Sequence, residues 1–254
     1  MNTLSKIPSQ LNRLKNPPDQ LYYKGNLELL NMPLVSIVGS RKASAYTKDC
    51  VFNLAKILSY SGVCVVSGAA IGVDIAAHKG AFPNTIAVFG NGLDRIYPQS
   101  NAKMIDEIYR NSLAITEYAP DVTPRGYQFL QRNRIVVALS QALIVAQADL
   151  LSGSMQSARM AYELGIKIYV LPQRINDSRG TNELLALKKA ELINDFDKFA
   201  TRFGEVANVT KDEILEFCKN GVDLDDALAK FGSQIYEYEL LGRLKISGLR
   251  VNLA

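Results

Sequence analysis

Between residues 33 and 171 the sequence repeats one pattern: a short, almost unbroken apolar run, a turn of small residues, then a segment whose apolar residues recur at helical spacing. Runs at 34–38, 63–66, 85–89, 113–116, 142–146 and 167–171 are too short for buried helices and lack the alternation of strands that face water on one side. They predict strands covered on both faces. Helical segments at 43–60, 73–81, 102–110, 124–139 and 155–164 separate them, as in Val51, Leu54, Ala55 and Leu58 before a stop at Ser61-Gly62. Regular alternation of this kind predicts an α/β fold, an extended Rossmann-like, doubly wound and mainly parallel sheet of at least six strands. In such sheets ligands sit at the carboxyl ends of the strands, so the turns there are where function is sought.

Two of these turns stand out. Gly39-Ser40-Arg41 follows the first strand, and Ser67-Gly68-Ala69-Ala70-Ile71-Gly72 follows the second. The first N–H groups of the helix after each turn lack a backbone acceptor and lie at the positive end of the helix dipole, which favours an anion. Gly39, Gly68 and Gly72 permit close approach, and Ser40, Ser67 and Arg41 can donate to phosphate oxygens. Ser152-Gly153-Ser154 offers a third turn of the same kind. Between them, Arg125-Gly-Tyr-Gln-Phe-Leu-Gln-Arg-Asn-Arg134 places Arg125, Gln128, Phe129 and Arg132 on one helical face, with Asn133 and Arg134 adjoining. Cations beside an aromatic ring are what a single nucleic-acid strand requires, charge for its phosphates and a surface for its bases. The site residues expected are therefore Gly39, Ser40, Arg41, Ser67, Gly68, Gly72, Phe129, Arg132, Asn133, Arg134, Ser152 and Gly153.

Other chemistries find less support. No Walker A loop, Gly-x-Ser-x-Gly elbow or metal-spaced Cys/His cluster occurs, and Arg41 and Ser44 stand where a dinucleotide fingerprint needs glycines. No cofactor or metal is expected. The lone His78, one turn after Asp74, reads as a packing pair, and Thr181 or Asn182 as a helix cap. Cys50, Cys64 and Cys218 have no paired spacing, and residues 1–30 lack a secretory signal, so a cytoplasmic location without membrane contact is expected. A net charge of +4 permits a polyanion without demanding one.

Residues 1–204 are expected to form the Rossmann-like domain, with a short lead-in that includes an edge strand near 21–25. From 205 to 254, helical pieces at 211–220, 224–231 and 233–241 and an alternating tail at 245–253 predict a small winged-helix-like module. Its frequent acidic residues favour a protein-contact or structural role.

Gly39-Ser40-Arg41, Ser67 to Asp74 with Ala77-His78, Tyr97-Pro98, Phe129 with Arg132-Asn133-Arg134, Ser152-Gly153-Ser154 and Gly180-Thr181-Asn182, in this order, resemble the DNA-processing protein A family, also called DprA or Smf. The resemblance covers about residues 18–200; it departs at Leu130, Gln147 and Pro172-Gln173, where proline, glutamate and proline-glycine are usual, and shows no counterpart of the N-terminal helical domain some members carry. It implies a homodimer, without enzymatic activity, that binds single-stranded DNA and helps load the RecA recombinase during natural transformation. A second reading is a nucleotide enzyme such as a nucleoside-monophosphate phosphoribohydrolase. Gly180-Thr181-Asn182-Glu183 is similar to part of the motif of those hydrolases, although their preceding Pro-Gly-Gly is absent.

Overall fold

The computed structural model describes residues 2–205, 213–240 and 243–253. The chain divides into two compact units, Met1–Val206 and Ala207–Ala254.

The first unit opens with β1 (Asn2–Thr3), a 3-10 helix at Ser9–Arg13 and β2 (Tyr22–Gly25). It continues with β3 (Leu34–Val38), α1 (Ala45–Tyr60), β4 (Cys64–Gly68), α2 (Val73–Ala81), β5 (Thr85–Phe89), α3 (Ala102–Asn111) and β6 (Leu113–Thr116). Then follow α4 (Gly126–Leu139), β7 (Ala142–Val145), α5 (Gly153–Glu163), β8 (Lys167–Val170), α6 (Arg179–Ala186), β9 (Glu191–Leu192) and α7 (Phe196–Ala200). The six strands and five intervening helices anticipated between 34 and 171 are β3 to β8 and α1 to α5.

Nine strands form one sheet in the order β1-β2-β6-β5-β4-β3-β7-β8-β9. The seven from β6 to β9 across the sheet pair in parallel, while β2 and β1 pair antiparallel at one edge. The chain starts the parallel sheet at its centre, winds outward through β4, β5 and β6, and returns by α4 to β7 on the other side of β3. The direction therefore reverses between β3 and β7, and a crevice opens beyond their carboxyl ends.

Successive residues of each strand point to opposite faces. Leu34, Cys64, Val66, Ile86, Val88, Leu143 and Val145 pack under α4 and α5, while Val35, Ile37, Val63, Val65, Ala142 and Ile144 pack under α1, α2 and α7. In α1 the buried residues Val51, Leu54, Ala55 and Leu58 recur at helical spacing, and Ser44 caps its first turn by accepting from the Thr47 N–H at 3.1 Å. Burying a leucine such as Leu54 or Leu58 contributes about 2 kcal/mol.

Two details go beyond the sequence expectation. Leu11 and Leu21 are fully buried in the core beneath α4, so the lead-in is an integral part of the domain, and β2 is covered by β1 rather than forming the outer edge. The helix at Arg179–Ala186 starts after Ser178, two residues ahead of Thr181. Thr181 is therefore inside the helix, its hydroxyl 2.6 Å from that of Ser178, and Asn182 donates to the carbonyls of Arg174 and Ile175, so neither is the cap.

The second unit has its own core of Ile214, Cys218, Ala227, Ile235, Leu244 and Val251. It runs α8 (Glu213–Cys218), β10 (Val222–Asp223), α9 (Leu224–Phe231), α10 (Gln234–Leu240), β11 (Leu244–Ser247) and β12 (Arg250–Leu253), with an antiparallel sheet ordered β10-β12-β11. The anticipated hairpin is β11 and β12. Residues 211–212 and 241, which the sequence placed at helix ends, lie outside the described residues.

His78 ties β4, α2 and β5 together. It is fully buried, with Nε2 2.6 Å from the Gly68 carbonyl oxygen and Nδ1 2.7 Å from the Thr85 hydroxyl. A carbonyl can only accept, so Nε2 carries the proton of the neutral ring, and the one hydrogen of the Thr85 hydroxyl is shared between Nδ1 and the Val65 carbonyl, 2.9 Å away. Burial, helped by the nearby Arg132 cation and opposed by the Gly68 bond, pushes its pKa down to about 4. The unfolded chain takes up a proton near pH 6.5 and the folded chain does not, so this residue's contribution falls as pH drops from about 6.5 and levels off below about 4. Urea unfolding of wild type and His78→Gln at pH 7 and pH 5 should show the wild type losing about 2 kcal/mol more than the variant on acidification. Taking the difference removes the opposing titration of Asp74, which both proteins share; equal losses would contradict the assignment.

Candidate nucleic-acid interface

The turns after β3 and β4 are locked into each other. Ser40 donates its N–H to the Gln147 carbonyl at 2.8 Å, and its own carbonyl accepts from the Val73 N–H at 3.2 Å. Gly72 has a φ of +84°, and a Cβ there would overlap the carbonyl oxygen of Ser40. A Cβ on Gly39 would lie 2.6 Å from the Val73 side chain. Glycine is needed at both places for the turns to meet. This interlock also uses up the N–H groups of Ser40 and Val73, so an anion here depends on side chains and on the first turn of α5.

The crevice between β3 and β7 is a cleft of about 500 Å³. Gly39, Ser40, Arg41 and Lys42 line it from the first turn, Phe129, Arg132 and Asn133 from α4, and Ser152, Gly153 and Ser154 from the start of α5. Ser152 accepts from the Met155 N–H at 3.3 Å, leaving the N–H groups of Gly153 and Ser154 without an intrahelical acceptor. Eight of the anticipated residues thus share one cleft: Gly39, Ser40, Arg41, Phe129, Arg132, Asn133, Ser152 and Gly153.

Arg132 is the centre of the site. Its side chain is 4% exposed, and its guanidinium lies so close over Gly68 that any Cβ at 68 would overlap it. A buried guanidinium needs a counter-charge, which Asp74 supplies from the first turn of α2. Burial raises the pKa of the Asp74 carboxyl, while Arg132, the Ala70 N–H and Arg41 pull it back. Burial likewise lowers that of Arg132, opposed by Asp74. Arg132 Nε is buried without a partner in the protein. With Arg132 balanced by Asp74, exposed Arg41 and Lys42 carry the uncompensated positive charge of the first turn.

Phe129 stands at the rim rather than in the core. The Arg41 guanidinium carbon is 5.6 Å from its ring centroid, and Tyr97 stacks on it at 5.5 Å with an interplanar angle of 22°. Gln128, on the same anticipated face, is instead buried and accepts from the Arg125 N–H, closing the start of α4.

Two anticipated residues lie elsewhere. Ser67 is fully buried and donates its hydroxyl to the Ile37 carbonyl at 2.6 Å, so it joins β4 to β3 and does not reach the cleft. Arg134 forms a two-point ion pair with Glu117, at 2.8 and 2.6 Å, and reaches the Asn16 carbonyl at 3.2 Å, fixing α4 to the lead-in. Gly68 and Gly72 shape the site from beneath. Ser154, named with the third turn, also lines the cleft; the sequence reading did not place Lys42 or Asp74 there, nor Asn91 and Tyr97, which line a smaller slot beside it. Asn91 follows β5 in a Gly-Asn-Gly turn, so the strand-end rule that singled out the other turns would also have found it.

Gly180-Thr181-Asn182-Glu183 belongs to packing. The Gly180 N–H donates to the Ala148 carbonyl at 2.8 Å, and Thr181 is fully buried. Among the described residues no helix is long and apolar enough to cross a membrane.

Comparison with known proteins agrees with this architecture. The DNA processing protein DprA of Streptococcus pneumoniae is 39% identical over 183 residues, covering 70% of this chain and 64% of that protein. Protein Smf of Escherichia coli is 36% identical over 174 residues, covering 67% and 46%. The chain thus spans between about half and two thirds of these curated relatives. Among solved structures, DNA processing protein A of Helicobacter pylori, described for its single-stranded DNA binding mode, superposes with a TM-score of 0.77 and 45% identity, covering 79% of this chain and 94% of that one. The S. pneumoniae structure gives a TM-score of 0.75 at 36% identity, covering 80% and 74%. Residues 2–204 match the family model described as DNA recombination-mediator protein A, and the chain belongs to that family.

Proposed function

We propose that this chain binds single-stranded DNA in the cleft between β3 and β7 and acts as a binding protein in recombination rather than as an enzyme. The observation that carries the reading is the buried, partly unpartnered Arg132 guanidinium, set in a cleft whose mouth holds Arg41, Lys42 and the partly buried ring of Phe129. Arg41, Lys42 and the free N–H groups of Gly153 and Ser154 take phosphates, and Phe129 takes a base on its face. Gly39, Ser40, Asn133 and Ser152 complete the contact surface. Gly68 and Gly72 hold its shape.

The reading extends to mediation: a strand held in this way is presented to the RecA recombinase, and a second copy of the chain extends the grip along the strand. What supports both is family membership, together with the shortness of the groove that one copy offers. Tethering two weak sites on one strand raises affinity well beyond either alone. The cytoplasm, where single-stranded DNA meets recombinase, is the location consistent with this role.

Fluorescence anisotropy with single-stranded and duplex oligonucleotides tests the core of the proposal. Wild type should prefer the single strand, with affinity falling steeply as salt rises, and Arg41→Ala should lower the salt slope by about 0.7, the share of one phosphate contact. A slope unaffected by the substitution would remove Arg41 from the site. Gly68→Ala should weaken binding about tenfold or more, because it displaces Arg132 without deleting any charge; unchanged affinity would count against the central place of Arg132. Arg134→Ala should leave DNA affinity within about twofold yet destabilise the fold by about 3 kcal/mol, by leaving Glu117 half-buried and unpaired. A large loss of affinity with intact stability would return Arg134 to the contact surface.

A further inference from the structure

Arg41 and Lys42 are exposed cations on the turn between β3 and α1, and a charge on a loose turn loses part of its effect because the turn must be ordered when it binds. One residue outside the turn holds both of its ends. Gln147, which follows β7, accepts the Ser40 N–H at its backbone carbonyl at 2.8 Å and the Ser44 N–H at its side-chain Oε1 at 3.0 Å. The amide can sit only one way round: a backbone N–H donates, so Ser44 faces Oε1, and Nε2 in turn donates to the Asp177 carbonyl at 3.0 Å, in the connection after β8. Gln173 repeats the arrangement from the start of that connection, its Nε2 donating to the Thr47 hydroxyl at 2.9 Å and the Ala146 carbonyl at 2.8 Å. These are two of the positions where glutamate and glycine are usual and this sequence has glutamine. An ionised glutamate at 147 would have no proton for the Asp177 carbonyl, and a glycine at 173 would have no side chain to reach α1. Neither glutamine lines the cleft or the slot beside it.

We infer that Gln147, seconded by Gln173, is a positioning residue for the strand-binding cleft: it touches no part of the strand and fixes the turn from which Arg41 and Lys42 reach the phosphates. This inference rests on the reading of that cleft as a single-strand site. The bond to Ser40 uses the backbone carbonyl of residue 147, which any residue supplies, so what the glutamine side chain adds is the hold on Ser44 at the far end. Arg41 and Lys42 lie between the two anchors. With both ends held, the Arg41 guanidinium stays over Phe129, 5.6 Å from the ring centroid, and meets a phosphate without first having to be ordered. The bond from Nε2 to Asp177 keeps the amide from swinging away from Ser44, and it makes the connection after β8 a support for the connection after β3. A residue of this kind differs from a contact residue in what its loss leaves behind: every cation of the site remains in place.

Gln147→Met tests it, since methionine keeps the length of the side chain and removes both of its bonds. Affinity for oligothymidine, measured by anisotropy at low salt, should fall about fivefold, with the salt slope unchanged because no cation is lost. In Arg41→Ala the same substitution should cost less than about twofold, because the residue it positions is gone. A merely structural role would lower affinity equally in both backgrounds, and an idle side chain would lower it in neither; either result overturns the inference. Should Gln147→Met fail to fold, amide exchange of the wild-type chain read by NMR decides. The Ser44 N–H belongs to no helix or strand bond, yet it should exchange about tenfold or more slower than an exposed amide. Exchange at the rate of an exposed amide overturns the hold on Ser44. Failure of wild type to bind oligothymidine at all, with Ser44 protected, overturns instead the reading of the cleft, and with it the role assigned to Gln147.

Discussion

A guanidinium removed from water has to be held by something, and most of the site's construction follows from how Arg132 is held. Asp74 balances its charge from the start of α2, and the missing side chain of Gly68 lets it lie against the end of β4. His78 grips the carbonyl of that same glycine from the far side. The arginine from α4, the aspartate and histidine from α2 and the glycine of β4 thus form one connected arrangement across three elements. Loosening any of them shifts the donor that faces the crevice, because an arginine with rigid planar geometry transmits displacement rather than absorbing it.

The fold was legible because its signal is redundant. Strands buried on both faces must be apolar throughout, and the helices between them carry the spacing of one covered side, so each element announces itself twice. The short β9 and α7 gave no such signal, since two residues of strand and five of helix hold too few positions to show a period. The lead-in was underestimated for a related reason. Leu11, Leu14 and Leu21 are spaced by a 3-10 turn and irregular chain, and their burial is visible only once α4 is present to receive them.

The site was legible as a set of turns and less so as a set of side chains. That Ser40 and Ser152 reach the crevice while Ser67 does not depends on the sheet face each side chain takes, and near a strand end the chain can leave on either side. Arg132 and Arg134 are two residues apart on α4, a spacing that sends side chains in different directions. One was bound to turn away, and Glu117 determines that it is Arg134. Asp74 was read only as the partner of His78, because an acidic residue looks wrong for an anion site until its neutralising role is seen, and Asn91 was passed over because the turn after β5 was not weighed with the others.

The interlock of the two glycine turns has a consequence for the energetics of association. Since Gly72 seats on the Ser40 carbonyl, and Ser40 is anchored to Gln147 in the connection after β7, the three rims of the crevice are braced against each other. Such a receptor gives up little freedom on complex formation. If the crevice holds a single strand as proposed, the ordering entropy falls on that strand, and differences between strands reflect how readily each gives up its own stacking and disorder.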